Sequence, residues 1–223
     1  MKKFIYLIIS IINLGLSALF VLIMPNETVP IHYNIEGEID LLGNKWIVLL
    51  LSTLLVVFGI IYLLRCIIVK NNDNVKKNRK YEERTVLAVF LFLLFISWTV
   101  IITSFNRNMY ENFSALIAPI LCLILGSLII FISNMYGKVR QNTVLGIKTI
   151  ATLSSETVWK KTHRIAGYLG VVCGIIMIAC GIVGSLLSEI SFVLLISALM
   201  LFFIVAFIIP AIYAQIIFSK ENR

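Results

Sequence analysis

Six stretches of this chain run for about 20 residues or more without an ionised side chain, and they decide what it can fold into. They are Phe4–Met24, Trp46–Leu64, Thr85–Asn106, Asn112–Val139 up to its polar C-terminal end, Ile165–Ser188 and Ile190–Ser219. Each is long enough for a helix to cross about 30 Å of hydrocarbon. A backbone in lipid must satisfy its own hydrogen bonds, and these runs are far too long for barrel strands. Only 13% of the residues are charged, about half the share of a soluble domain. The expectation is an all-α, polytopic membrane protein with six transmembrane helices.

Orientation follows from the Lys and Arg residues in the connections. One side holds Lys2, Lys3, Arg65, Lys70, Lys76, Lys77, Arg79, Lys80, Arg84, Lys138, Arg140, Lys148, Lys160, Lys161, Arg164, Lys220 and Arg223; the other holds Lys45 and Arg107. Seventeen against two puts both termini in the cytoplasm. The net charge of +8 then reports topology, and no direct nucleic-acid binding is expected. The first run is longer than a signal-peptide core of about 7–15 residues, so it is read as a span that is kept. Cys66, Cys122, Cys173 and Cys180 fall in or beside apolar helices with no C-x-x-C spacing, and are read as packing residues.

The connections suggest three parts: a two-helix unit over 1–69 with an acidic outer loop, a basic inner linker over 70–84, and a four-helix unit over 85–223. Arg107–Glu111 is read as a short outer turn, and Ser188 and Glu189 as the only break between the last two helices. In the outer loop, Glu27, Glu36, Glu38 and Asp40 outnumber Lys45, while Pro25, Pro30, Gly37 and Gly43 favour turns over a long helix. Its His32 and Glu36 are too few for a zinc site, which takes three or four ligands. No metal, cofactor or catalytic residue is expected. The nearest approach to an acid–base pair is His163 with Glu156, and the six helix cores hold no ionisable residue of the kind an ion-coupled transporter uses.

The long inner loop, 137–164, contains "GIKTIATLSSETVWKKTHRIAG", which is polar and cationic. Ser154 or Ser155 can cap a helix whose first turn gains Glu156 at the positive end of its dipole. At about 100° per residue, Trp159, His163, Ala166 and Gly170 share one stripe, with Thr157, Lys160, Lys161 and Arg164 opposite. The stripe runs on through Gly174 in the small-xxx-small spacing that lets membrane helices approach closely.

The span Asn142–Gly167 resembles the signature of the SdpI family of bacterial membrane immunity proteins. The matching residues are Asn142, Gly146, Ile147, Thr149, Thr152, Ser155, Glu156, Trp159, His163 and Gly167. The outer loop's "VPIHYNIEGEID" resembles the N-terminal domain that often accompanies that signature, through Pro30, His32, Asn34, Gly37 and Asp40. The family usually has Arg where this chain has Lys148 and an aromatic residue where it has Leu145. Arg and Lys are not equivalent at a bidentate contact. The resemblance implies protection of a producer cell from its own secreted peptide toxin. For some members it also implies capture of a small helix-turn-helix repressor at the membrane, so that the protein transmits a signal. On that basis His32, Asn34, Glu36, Glu38 and Asp40 are candidates to face a toxin. Asn142, Gly146, Lys148, Thr149, Thr152, Ser155, Glu156, Trp159 and His163 are candidates to bind a cytoplasmic partner. An envelope sensor without an immunity role is the main alternative, with a transporter behind it.

Overall fold

The computed structural model describes residues 4–34, 36, 38–69, 73–105 and 107–221, with backbone alone at 73, 74 and 107–114. Lys2, Lys3, Gly37, Lys70, Asn106 and Arg223 of the sequence reading lie outside the described residues. The elements are α1 (Ile5–Ile23), β1 (Thr28–Tyr33), β2 (Ile39–Asn44), a 3₁₀ turn, α2 (Leu49–Ile68), α3 (Asp73–Ser104), α4 (Arg107–Tyr136), α5 (Ile150–Ser154), α6 (Glu156–Leu186), α7 (Ser191–Phe203) and α8 (Ile209–Glu221). Among the described residues six helical segments are long and apolar enough to cross a membrane. The protein is a multi-pass membrane protein.

Two compact units divide the chain, residues 1–70 with 86–117 and residues 71–85 with 118–223. In the first, burial inverts the usual soluble pattern. The inward stripe of α1 is Ser10, Asn13, Ser17 and Val21, while Ile12, Leu19 and Ile23 face outward. Lipid solvates apolar side chains as well as a protein core does, so hydrogen bonds and close packing join the helices instead. Ser52 of α2 bonds Ser17 of α1 at 2.8 Å and Ser97 of α3 at 2.9 Å. The Trp98 indole N–H donates to Asn13 Oδ1 at 2.8 Å. Gly59 brings α2 onto the α1 backbone, since a Cβ there would lie 2.8 Å from the Leu7 Cα.

Glycines set the second unit too. A Cβ on Gly126 of α4 would meet the Gly174 carbonyl of α6 at 2.7 Å, and one on Gly174 would meet the Gly126 carbonyl at 2.8 Å. The expected small-residue stripe is thus the α4–α6 seam. Below it Ala118, Cys122, Ile129, Met177, Leu195 and Ala198 form one buried cluster. Between α7 and α8 lies a π-helical turn, Ile204–Ile208, in which the Ile209 N–H reaches back to the Ile204 carbonyl. Pro210, next in the chain, has no N–H to offer Ala206, and the wider turn takes up that misfit.

Three connections take a definite form in the structure. The basic inner stretch is helical from Asp73 on and makes the first three turns of α3, being free of Gly and Pro and bearing an Arg79–Glu83 pair at i,i+4. Val75, Asn78 and Glu82 form its buried stripe. The turn expected at Arg107–Glu111 is helical, and α4 already starts at Arg107. The outer loop is an antiparallel hairpin, with Thr28 opposite Asn44 and Tyr33 opposite Ile39 and an irregular register around His32.

Candidate functional site

Two polar constructions stand out, one in each unit. In the first, the β1–β2 hairpin is fastened at its base by Lys45. This lysine is buried, and its ammonium donates to the Met24 carbonyl and to Glu27 at 2.9 Å. Lys45 and Glu27 therefore neutralise each other at the hairpin's foot, leaving Glu36, Glu38 and Asp40 further out. Asp40 bonds His32 Nδ1 at 2.7 Å. Asn34 closes the tip, accepting from the Glu38 N–H at 2.8 Å and donating to the Glu38 carboxylate. Of the five outer candidates, His32 with Asp40 and Asn34 with Glu38 form two linked pairs. Among the described residues, no three His, Cys, Asp or Glu side chains converge as a metal site would need.

In the second unit the motif builds a closed, hydrogen-bonded loop. Ser155 is the N-cap of α6, accepting from the Val158 N–H and donating to Glu221 of α8. Ser154 ends the short α5 instead. Thr149 and Thr152 form a reciprocal capping box at the start of α5, which satisfies two otherwise orphaned backbone donors. Ala151, Val158 and Ala214 pack together, so α5 and the start of α6 rest on α8.

At the centre are Trp159, fully buried, and His163, 1% exposed. Their rings stack at 3.9 Å and 19°. The indole N–H donates to the Val139 carbonyl at 2.8 Å. His163 Nε2 accepts from the Ile147 N–H at 2.9 Å, and Nδ1 faces the Trp159 carbonyl at 2.9 Å. An N–H must meet a lone pair and a carbonyl must meet a proton, so the imidazole is neutral with its hydrogen on Nδ1. One aromatic pair therefore grips both limbs of the loop, at 139 and at 147. Gly146 has φ +119°, and a Cβ there would collide with His163 Nε2; no other residue type fits that place.

Polar side chains hold the rest. Asn142 Oδ1 accepts from the Val144 and Leu145 N–H groups, and its amide donates to the Arg140 and Leu145 carbonyls. Sequence reasoning missed two further clamps. Asn78 of α3 takes both backbone groups of Arg140, at 2.7 and 2.8 Å. Gln141 donates to the Thr152 and Leu153 carbonyls. Neither belongs to the motif; the only signal for Asn78 was a short amide on the Val75–Glu82 stripe.

The candidate residues thus sort by position. Trp159, His163, Thr152 and Asn142 are buried and shape the loop, and Gly146 gives it its turn. Lys148 and Glu156 are exposed, with Lys148 near the Thr143 carbonyl and Glu156 paired to Lys160 at 3.0 Å. Glu156 and His163 do not converge as an acid–base pair. The outward surface also carries Ile150, 83% exposed, and Leu153, two apolar residues at i,i+3 on α5 absent from the sequence reading.

Comparison with known proteins agrees with both motifs. Residues 138–214 match the SdpI/YfhL protein family, and residues 8–57 match a domain of unknown function, DUF1648. The chain is 25% identical over 175 residues to a Bacillus subtilis (strain 168) protein named Immunity protein SdpI, covering 76% of this chain and 78% of that one. The resemblance read from the two motifs is borne out. No solved structure matches.

Proposed function

We propose that this chain is a membrane immunity protein that protects its cell against a secreted peptide toxin. The observation that carries the reading is the similarity to Immunity protein SdpI along three quarters of the chain. Both termini lie in the cytoplasm in this reading, because of the charge asymmetry of the connections. The hairpin then faces outward and its Glu36, Glu38 and Asp40 make first contact with a cationic peptide, with His32 and Asn34 holding the tip in shape. Opposite charge speeds encounter, and the apolar helices retain the peptide's apolar part.

The inner loop serves a cytoplasmic partner, a small repressor of the helix-turn-helix type, and so couples toxin arrival to gene expression. Support comes from exposed Ile150 and Leu153 beside Lys148, an apolar pair rimmed by a cation on a rigidly held loop. The protein acts without cofactor, metal or catalytic group, and touches no nucleic acid itself.

The test is survival of a sensitive Gram-positive cell expressing this chain alone, with its presence in the membrane verified. Protection against the toxin encoded beside its own gene is expected, and full sensitivity would overturn immunity in favour of an envelope sensor. Replacing Glu36, Glu38 and Asp40 together by Gln, Gln and Asn should weaken protection. Toxin affinity should fall with rising salt, because exposed charges are screened beyond about 8–10 Å at physiological ionic strength.

A further inference from the structure

Between the C-terminal end of α4 and the first turns of α6 lies an open groove of about 260 Å³, with Lys138 and Arg164 among its lining residues. Three other cations of this unit are paired: Lys160 with Glu156, Lys161 with Glu221 and Arg79 with Glu83. The Lys138 and Arg164 side chains, both exposed, have neither an ion pair nor a hydrogen bond among the described residues. No carboxylate lines the groove.

Its depth is set by the sequence. Lys138 comes two residues after the apolar span Ala115–Tyr136, and Arg164 directly precedes the apolar run that begins at Ile165. Both cations therefore sit at the level where headgroups meet hydrocarbon. One turn deeper on α6 the wall is Tyr168, 65% exposed, and then Val171. A tyrosine at that level suits the interface, with an apolar ring and a polar tip. Gly167 keeps the floor low, since a Cβ there would press to 3.0 Å on the Ser133 carbonyl.

We infer that this groove is a binding site for an anionic phospholipid, its phosphodiester between Lys138 and Arg164 and its first acyl carbons along Tyr168 and Val171. A pair of cations above an apolar wall matches a phosphate attached to hydrocarbon. It favours a headgroup such as glycerol over choline, whose own cation would meet Lys138 and Arg164. The occupant comes from the leaflet on the side of the basic connections.

The experiment uses the purified full chain in detergent micelles with equimolar phosphatidylglycerol and phosphatidylcholine, and native mass spectrometry counts bound lipid. One phosphatidylglycerol per chain is expected in preference to phosphatidylcholine. In the K138Q/R164Q double variant that preference should fall roughly thirtyfold, about fivefold for each cation near an anionic surface. K138R/R164K should keep it, and so should K76Q/K77Q, which removes the same charge from α3. Equal binding of the two lipids by the unaltered chain would overturn the proposal, whatever the variants do. So would an equal fall in K76Q/K77Q, which means general charge attraction, or loss of preference in K138R/R164K. Displacement of the lipid by millimolar inorganic phosphate would identify a free anion as the occupant and overturn it as well.

Discussion

Replacing His163 by Phe tests whether one nitrogen holds the loop. Phe preserves a flat ring over Trp159, and with it the stack worth about 0.5–1.5 kcal/mol, but removes both nitrogens. The Ile147 N–H, which now meets Nε2 at 2.9 Å, is left without an acceptor beside a buried residue. An orphaned buried donor costs about 1–3 kcal/mol. At a factor of ten per 1.4 kcal/mol, the local opening equilibrium should rise roughly 5- to 140-fold. Amide hydrogen exchange at Ile147, measured on the full chain in nanodiscs, reads this directly. His163→Gln should recover part of the protection, because its side-chain carbonyl can accept the same N–H. Protection at Ile147 unchanged within about twofold in the Phe variant would refute the idea that His163 fastens the loop.

Two other expectations follow from geometry. Gly126→Val should destabilise the second unit by about 1–3 kcal/mol, as overpacking does, because its Cβ would meet the Gly174 carbonyl at 2.7 Å. Gly15→Ala, with nothing within 4 Å, should leave the unfolding free energy from detergent denaturation unchanged or raise it by up to about 1 kcal/mol; a loss equal to that of Gly126→Val would sink the close-approach account. In a background lacking the four cysteines, an impermeant thiol reagent applied from outside should modify Glu38→Cys and spare Thr157→Cys; the reverse pattern would invert the proposed topology.

What could be read from the sequence was whatever repeats with a period or stands out against lipid. The six spans, the Trp159–His163 stripe and the α4-facing glycines all depend on one helix's own spacing, and the structure has them where the spacing puts them. The amphipathic stretch before Ile165 does run unbroken into the fifth span as α6. What stayed hidden depends on partners distant in the chain. Asn78 was one amide in a run of cations, and only the fold brings it to Arg140, 62 positions away. The outer loop's Pro and Gly residues predicted turns, but not which strand residues would face each other. Lys45 counted as an outer charge in the sequence, yet its buried ammonium is spent on Met24 and Glu27. Burial also separated the inner candidates: a helical stripe shows that Trp159 and His163 share a face, and only the packed loop shows that this face is turned inward.

The continuity of α6 makes the loop sensitive to angle. At 31 residues and 1.5 Å of rise per residue, it is about 46 Å long. Its deep part interlocks with α4 at Gly174, and its near end carries both rings. A side-chain tip lies about 5–6 Å from a helix axis, so a twist of roughly 10° moves His163 Nε2 by about 1 Å. That shift takes the 2.9 Å bond to Ile147 past the range in which a hydrogen bond holds. The Trp159 bond to Val139, 2.8 Å long on the same rod, is strained by the same twist. Anything that pries the glycine seam open within the bilayer, and lets α6 turn, would therefore be registered more than two helical turns away as a released loop.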